Sequence, residues 1–266
     1  MTRSIWKGNI EIGLINIPVS IHTAQKQNNI GFSLRCDVCG SPISYKKVCS
    51  NCGKEFKNDN EILRGLTIGD KEFKFTKEQL NNLKNAVNDR KIKVLSVVNL
   101  EDIDEIYYEK SYYLLPSKKK VGKNKIYENL KGYLLIKNVL SLTNKGLLCK
   151  YVFRDGEKLC LIKSYKGALL LTNLYYQEAI NELEIEEFKE EIRKEEEELM
   201  KNLLEKLKNK INISEIENEY NKKIYEVIEK GIDVSKPIQN MVAKEDSFED
   251  MLKKSIECVD KEKVKC

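Results

Sequence analysis

The amino-acid sequence predicts a β-rich α+β fold, in which a closed barrel is followed by an all-helical region. About eight runs of alternating or β-branched residues, several bounded by glycine, predict short strands before Tyr176. Two helices are predicted among these strands, but strands and helices do not alternate as in a doubly wound sheet. After Tyr176 the pattern becomes helical and strongly charged. Short strands with glycine-marked bends therefore favour a barrel.

The first predicted strands lie in residues 3–21, RSIWKGNIEIGLINIPVSI, where polar and apolar residues alternate before an apolar run. Gly8 and Gly13 are predicted bulges or bends, and Pro18 is predicted to lie at a strand end. Trp6 is the only tryptophan, and we interpret it as a core or interface anchor.

A hairpin is predicted over residues 65–75, with its turn at Gly69-Asp70. Thr76 is the predicted N-cap of a short helix. Gln79 lies three residues later, as in a capping box.

Further strands are predicted at residues 91–100 and 106–116, followed by a helix over residues 124–142. Three consecutive strands are predicted within residues 146–176. Asp155-Gly156 is a strong hairpin signal between the first two.

Beyond Tyr176, residues 186–211 predict a long helix. Ser214, with Glu217 in the capping-box position, predicts the start of another helix that Gly231 ends. One further short helix is predicted at residues 247–257.

The organisation predicted from these patterns has three parts. They are a barrel core at residues 1–176 that includes a cysteine-containing segment at residues 36–53, a helical arm at residues 177–230 and a short tail at residues 231–266.

The net charge of +5 is unevenly distributed along the chain. Residues 116–174 hold 13 basic and 3 acidic side chains, whereas residues 175–230 hold 10 basic and 17 acidic ones. A surface that binds a polyanion, next to an acidic arm, gives such an asymmetry. A solvated lysine-rich surface gives it equally well.

Four cysteines form the strongest motif in the sequence, Cys36-x-x-Cys39 and Cys49-x-x-Cys52, each pair followed by glycine. Four thiolates at this spacing can close a tetrahedral Zn²⁺ site, and the lack of a fifth ligand predicts a structural rather than a catalytic metal. The alternative is a set of reduced thiols without metal. We expect a cytoplasmic protein, because the sequence begins without a secretory signal and contains no long apolar run.

The other cysteines give weaker signals. Cys149 and Cys160 lie in apolar strand patterns and are predicted to be inert core residues. Cys258 and Cys266 have no assigned role.

Catalytic patterns are scarce. His22 is the only histidine, so a triad would have one possible base, and a packing role is favoured. The segment from Gly65 to Lys71 has the wrong spacing for a phosphate loop. An enzyme is therefore disfavoured. The alternative that remains open is a DNA lyase that uses Lys7 as a Schiff-base nucleophile.

A row of basic residues on two hairpin-paired strands suggests contacts with phosphates. The row contains Lys150, Arg154, Lys158, Lys163 and Lys166. Residues 150 and 154 are predicted to share one side of a strand, because same-face residues are spaced by two. A solvated sheet face is the alternative interpretation.

The quoted opening segment resembles the amino terminus of the prokaryotic Ku family, in which an Ile-Trp-Lys-Gly strand leads to Gly-Leu-x-x-Ile-Pro-Val. The resemblance continues through CGSPISYKKVCSNCGKEF, YYLLP, the helix around Tyr133-Leu-Leu and CKYVFRDGEKLCLIKSYKGALLLTNL. It covers roughly residues 1–230. Many bacterial members lack the four cysteines that this chain has, and some have a longer lysine-rich tail.

This resemblance implies a ring-shaped homodimer, in which a barrel and a bridge from each subunit surround double-stranded DNA ends during non-homologous end joining. It implies an ATP-dependent DNA ligase as partner and a nucleoid-associated location. The implied DNA contacts are Arg3, Lys7, Lys71, Lys74, Arg154, Lys158, Lys163 and Lys166. The alternative from another class is a zinc-ribbon adaptor in transcription or translation.

Overall fold

The computed structural model describes residues 3–26, 30–87, 89–122, 124–154, 156–184, 192–208, 212–230 and 255–256. The chain divides into two compact units. One comprises residues 1–28 and 32–183, and the other comprises residues 29–31 and 184–266. No described helix is both long enough and apolar enough to cross a membrane.

The described strands and helices are numbered along the chain. The strands are β1 (Ser4–Ile12), β2 (Ile15–Thr23), β3 (Lys47–Val48), β4 (Glu55–Phe56), β5 (Arg64–Ile68), β6 (Lys71–Phe75), β7 (Lys91–Asn99), β8 (Tyr108–Pro116), β9 (Lys118–Val121), β10 (Asn124–Tyr127), β11 (Lys145–Phe153), β12 (Gly156–Tyr165) and β13 (Ala168–Leu174). The helices are α1 (Lys77–Val87), α2 (Leu130–Thr143), α3 (Lys194–Lys206) and α4 (Glu219–Lys230).

Seven strands form a closed barrel in the order β1-β2-β8-β13-β12-β11-β7, which confirms the predicted α+β barrel. The barrel closes where β1 pairs in parallel with β7. All other neighbouring strands in the barrel pair antiparallel. Alternate residues of each strand point inward and form one apolar core, which includes Ile10, Ile17, Ile92 and Leu171. Burial of this inward-facing set is the main favourable contribution to folding.

Two glycines matter to the first hairpin, Gly13 in its turn and Gly8 where β1 meets the chain before β7. Ile12 pairs with Ile15, and Gly13 adopts φ +56° in the turn, a conformation that favours glycine. Gly8 lies where the backbone before β7 approaches β1, because the Asn9 N–H donates to the Arg90 carbonyl at 3.0 Å. The predicted bend at Gly13 is confirmed. Pro18 lies within β2 rather than at its end, so that prediction is wrong.

Trp6 is a core anchor, as predicted. Its indole Nε1–H donates to the Val152 carbonyl at 3.2 Å, and its ring meets the Tyr151 ring edge-on at 5.6 Å between centroids. The indole therefore joins β1 to β11, and its partly buried N–H avoids the cost of an unpaired donor.

The predicted helix over residues 124–142 begins too early. Residues 124–127 form β10, which pairs with β9 around Gly122 at φ +61°. Helix α2 begins at Leu130, where the Asn129 side chain accepts a hydrogen bond from the Gly132 N–H at 3.3 Å. Asn129 itself has φ +42°, a backbone conformation outside the helical region, so the helix cannot extend back through it.

Tyr133 of α2 links the helix to the barrel. Its hydroxyl donates to the Leu114 carbonyl at 2.7 Å and accepts from the Leu169 N–H at 2.9 Å. These two residues are partners on β8 and β13. Burial raises the pKa of Tyr133, so the hydroxyl stays protonated and able to donate.

The insertion between β2 and β7 has no core of its own, since none of the residues from 32 to 80 is buried. It contains the small pairs β3–β4 and β5–β6 and helix α1. The predicted hairpin at 65–75 is confirmed. So is the capping box, in which the Thr76 N–H donates to Gln79 Oε1 at 2.8 Å and the Gln79 N–H donates to Thr76 Oγ1 at 3.2 Å.

The second unit contains α3 and α4. Of the predicted helix at 186–211, residues 194–206 are helical, while residues 185–191 and 209–211 lie outside the described residues. The predicted start at Ser214 is wrong. Ser214 lies in a short 3-10 turn, and α4 begins at Glu219 after the Asn218 side chain accepts from the Asn221 N–H at 3.1 Å. Gly231 and most of residues 247–257 also lie outside the described residues.

Candidate nucleic-acid interface

The predicted basic row on β11 and β12 divides into separate groups. Arg154 follows the last residue of β11 with φ +56°, and its guanidinium lies 5.2 Å from the centre of the Phe153 ring. Because Arg154 has left the strand, it does not share a strand face with Lys150, and that prediction is wrong. Lys158 lies on β12 and forms an ion pair with Glu109 at 3.1 Å.

The remaining two members of the row lie elsewhere. Cys160 and Ile162 point into the core, so Lys163 points outward, on the opposite face of β12 from Lys158. Lys166 lies in the turn between β12 and β13 with φ +44°, at the other end of β12 from Arg154. The predicted basic residues on β11 and β12 therefore do not form one row along which a phosphate backbone could lie.

The candidate contacts in the insertion also lie on different faces. Lys71 and Lys74 are both exposed on β6, but an odd spacing separates them, so they point to opposite sides of the β5–β6 hairpin. Lys74 is close to Glu72, with 3.2 Å between the charged atoms. Lys71, unlike Lys74, lies on the same side of the hairpin as Leu66 and Phe73.

Arg3 and Lys7 come together at the start of β1. Both line a shallow cleft on the barrel, together with Trp6 and Arg90. Lys7 also points into a second groove of ≈ 290 Å³ on the outer face of β1, β2 and β8. Of the eight predicted contacts, Lys7 is the only one that lines this second groove.

The second groove contains basic residues that sequence reasoning did not assign. The β9–β10 hairpin contributes Lys118, Lys125 and Tyr127, and the Lys118 ammonium lies 4.4 Å from the centre of the Tyr127 ring. None of the described residues that line the groove is acidic. The signal that could have identified the hairpin is KKKVGKNK, a lysine-rich run interrupted by Gly122.

His22 lies in this groove rather than in the core. Its Nε2 is 3.0 Å from the Ser20 hydroxyl, and that hydroxyl is also 3.4 Å from the Leu115 carbonyl. The favoured packing role of His22 in the core is therefore wrong, because His22 lies on the outer face of β2 beside the lysines.

The predicted metal ligands form two turns of matching geometry. The Gly40 N–H donates to the Cys36 carbonyl at 2.9 Å, and the Gly53 N–H donates to the Cys49 carbonyl at 3.0 Å. Both glycines have a left-handed backbone, with φ +68° and +70°. The sequence prediction that glycine after each pair permits a tight turn is therefore confirmed.

The four thiols are free and lie in two pairs, one in each turn. The hydroxyl and N–H of Ser41 lower the pKa of the Cys39 thiol, and the N–H of Cys52 lowers the pKa of Cys49. Within the described part of the chain, no three potential ligand side chains lie close enough to hold a metal ion. The thiol donors and the two tight turns suit zinc, but the pair Cys36 and Cys39 and the pair Cys49 and Cys52 do not form one cluster.

Cys149 and Cys160 are core residues, as predicted. They are partners on β11 and β12, and both are fully buried. Burial, with Cys149 beside it, raises the pKa of the Cys160 thiol well above its ordinary value, so it stays protonated.

Comparisons with known proteins agree on one family. A family model described as the Ku70/Ku80 beta-barrel domain matches residues 11–201. A protein named non-homologous end joining protein Ku from Archaeoglobus fulgidus is 31% identical over 265 residues, which cover 97% of this chain and 99% of the relative. Proteins of the same name from Heliobacterium modesticaldum and Bacillus subtilis are 31% and 28% identical, and the match covers 69% and 67% of this chain. This chain spans 63% and 54% of those two bacterial relatives.

Proposed function

Because this chain belongs to the prokaryotic Ku family of non-homologous end joining, a family of non-catalytic proteins, we propose that it binds ends of double-stranded DNA as a homodimer. The observation that carries the proposal is the nearly end-to-end match to the archaeal relative. Within the described residues, exposed basic side chains on the barrel and its hairpins support binding of the phosphate backbone, which is independent of base sequence.

The proposed DNA contacts are the eight residues predicted from the sequence. Lys74 and Lys158 already form ion pairs with carboxylates, so each must exchange a protein partner for a phosphate. Arg3 and Lys7 lie together, which makes them the better pair to test first.

End binding is tested with linear and covalently closed circular duplexes of one length. Phosphate contacts alone would hold both DNAs equally, whereas a ring can thread only onto a free end. The expected gel shift therefore shows binding to the linear duplex and little binding to the circle. Equal affinity for the two DNAs, or a preference for RNA over both, would overturn the proposal and favour an adaptor instead.

The apolar side of the β5–β6 hairpin supports the proposed homodimer. Leu66 and Phe73 are paired across the two strands, and Ile68 lies on the same side, yet the three side chains are 52%, 43% and 62% exposed. A lone two-stranded hairpin is only marginally stable in water, so an apolar side of this kind gains stability when another surface covers it.

The homodimer is tested by sedimentation of the whole chain without DNA. The expected mass is that of two chains, and a Leu66→Ser/Ile68→Ser variant should weaken association. Thr67→Ser, on the other side of the same hairpin, is the matched control. A monomer at all concentrations would contradict the proposed homodimer.

An ATP-dependent DNA ligase of the end-joining pathway is the proposed partner, and the nucleoid is the proposed place of action. The family supports both. The expected result is faster joining of linear duplexes by that ligase when this protein is present. An unchanged joining rate across a range of protein concentrations would argue against recruitment.

We also propose that Cys36, Cys39, Cys49 and Cys52 hold one structural Zn²⁺. The two matched turns and their free thiols support this, and binding would draw the two pairs together into a tetrahedral set. Elemental analysis should find one zinc per chain, and Cys49→Ser/Cys52→Ser should lose it. Cys149→Ser, in the barrel core, is the control that should retain zinc. Absence of metal from the purified wild type, even after incubation with zinc, would contradict the proposal.

A further inference from the structure

The groove beneath the β9–β10 hairpin contains three lysines, of which only Lys7 is among the eight proposed contacts. Lys7 enters it from β1, and Lys118 and Lys125 enter it from the hairpin. These three lysines form no ion pair with any described residue. Exposed ammonium groups gathered in one groove without a carboxylate repel one another, and an anion bound between them relieves that repulsion.

The hairpin is held firmly in place over the barrel. The Ser117 N–H donates to the Pro18 carbonyl at 3.0 Å, and the Glu128 N–H donates to the Ser117 carbonyl at 3.0 Å. The Asn129 side-chain amide donates to the Asn16 carbonyl at 3.1 Å. These bonds tie both ends of the hairpin to β2, so the groove exists before any ligand arrives and binding requires little ordering of the chain.

The pairing of the hairpin decides which lysines face the groove. Lys118 pairs with Tyr127, and Lys120 pairs with Lys125, so these four side chains lie on one side. Lys119 pairs with Ile126 on the other side. The same short hairpin therefore supplies both the groove lysines and a lysine that faces away from them.

The phenol ring of Tyr127, which lines the groove, is already covered on one face. The Lys118 ammonium lies over Tyr127 at 4.4 Å from the ring centre, so that face of the ring is covered and is a poor platform for stacking an unpaired base. The remaining polar groups in the groove are hydroxyls, from Ser4, Ser20 and Ser117, and the imidazole of His22. Such groups suit phosphate oxygens.

We propose that this groove binds phosphates of one backbone strand of duplex DNA, with Lys118 and Lys125 each contacting a phosphate and Lys7 closing the opposite side. The inference rests on the proposed DNA binding and adds a site to it. A groove of ≈ 290 Å³ is too small for a whole duplex and takes one strand's backbone. Because no base is stacked or read, duplex is bound without sequence preference and single strands gain no advantage.

The test measures the salt dependence of binding to linear duplex by the whole chain carrying Lys118→Gln and Lys125→Gln. Each lost phosphate contact reduces the slope of log affinity against log salt by about 0.9. The proposed homodimer contains the groove twice, so the double variant loses four contacts, and the fall in affinity between about 50 mM and about 200 mM salt should shrink by roughly a hundredfold relative to wild type. Lys118→Arg/Lys125→Arg, which keeps the charges, should keep the wild-type slope.

The matched control is Lys119→Gln/Lys131→Gln. It removes the same charge from the other side of the hairpin and from an exposed position on α2, and it should keep the wild-type slope. Equal slopes for the two glutamine doubles would overturn the groove assignment while leaving DNA binding intact. A wild type that binds no duplex would overturn both proposals. Tighter binding of single strands through this groove would also overturn it.

Discussion

At the scale of single residues, the hydroxyl of Tyr133 has a structural role that no local pattern reveals. It satisfies a carbonyl on one barrel strand and an N–H on the next, and both belong to partnered residues. Buried backbone groups are nearly always paired, so this hydroxyl replaces part of the ladder between β8 and β13.

Replacement of Tyr133 by phenylalanine should therefore destabilise the protein. The change keeps the ring but leaves two buried backbone groups without their partner, which should cost about 2–4 kcal/mol in the free energy of unfolding. Urea unfolding followed by circular dichroism measures it. Tyr113→Phe is the control, since Tyr113 is 37% exposed and its hydroxyl has no partner among the described residues. Equal midpoints for the two variants would contradict the assigned role.

Single residues also show what sequence could predict about the candidate sites. The glycine after each cysteine pair could be predicted to allow a tight turn, because that is a local property of the chain. The position of Lys7 opposite Lys118 could not, since it depends on how the hairpin after β8 folds back over β1 and β2. The alternation rule also failed at Arg154, where the strand had already ended.

At the scale of elements, β1 and the backbone before β7 approach each other closely where the barrel closes. A Cβ added at Gly8 would collide with the Arg90 carbonyl oxygen and with the Trp6 ring. The carbonyl is backbone and the indole is held by its hydrogen bond to Val152, so neither can move aside easily. The parallel pairing of β1 with β7 therefore depends on this glycine.

Gly8→Ala should accordingly lower the free energy of unfolding by about 3 kcal/mol, the upper range for overpacking a well-packed site. The measurement is chemical denaturation with fluorescence of Trp6 as one probe. Gly65→Ala is the matched change, because a Cβ there meets nothing closer than Glu72 Oε1 at 3.5 Å. It should be neutral or slightly stabilising. An unaffected Gly8→Ala variant would show that the closure relaxes freely.

Element prediction succeeded where pattern and turn chemistry agreed, as at the hairpin of residues 65–75 and the three strands after residue 145. It failed at residues 118–127, where lysine is a poor strand former and the paired runs are only four residues long. The apolar residues of β10 and α2 follow one helical period in the sequence, which predicts a single helix. The parallel contact of β1 with β7 joins residues about 80 positions apart and has no signal in either strand.

At the scale of the whole molecule, positive charge is placed in the barrel region and its hairpins. Residues 116–174 carry a net charge of +10, whereas residues 231–266 carry 7 basic and 8 acidic side chains. The part of the DNA affinity that comes from release of counterions depends on the lysines and arginines that contact phosphates.

Removal of residues 231–266 should thus leave binding to linear duplex within about twofold of the whole chain, with an unchanged salt dependence. Gel shifts at two salt concentrations measure both quantities. Lys118→Gln/Lys125→Gln, in the full chain, shows the size of effect that loss of real contacts produces. A loss of affinity on truncation as large as in that double variant would locate DNA binding in the tail instead.

The insertion that lacks buried residues has a further consequence for how the protein can be observed. A segment from residue 32 to residue 80 without a core is ordered only weakly by its own contacts, so its amide hydrogens should exchange quickly and its lysines should be open to trypsin. If this segment closes over DNA, occupancy by a duplex should slow both processes there while the barrel amides stay protected throughout. Protease resistance of one stretch of chain would then act as a built-in indicator of whether a DNA end is loaded.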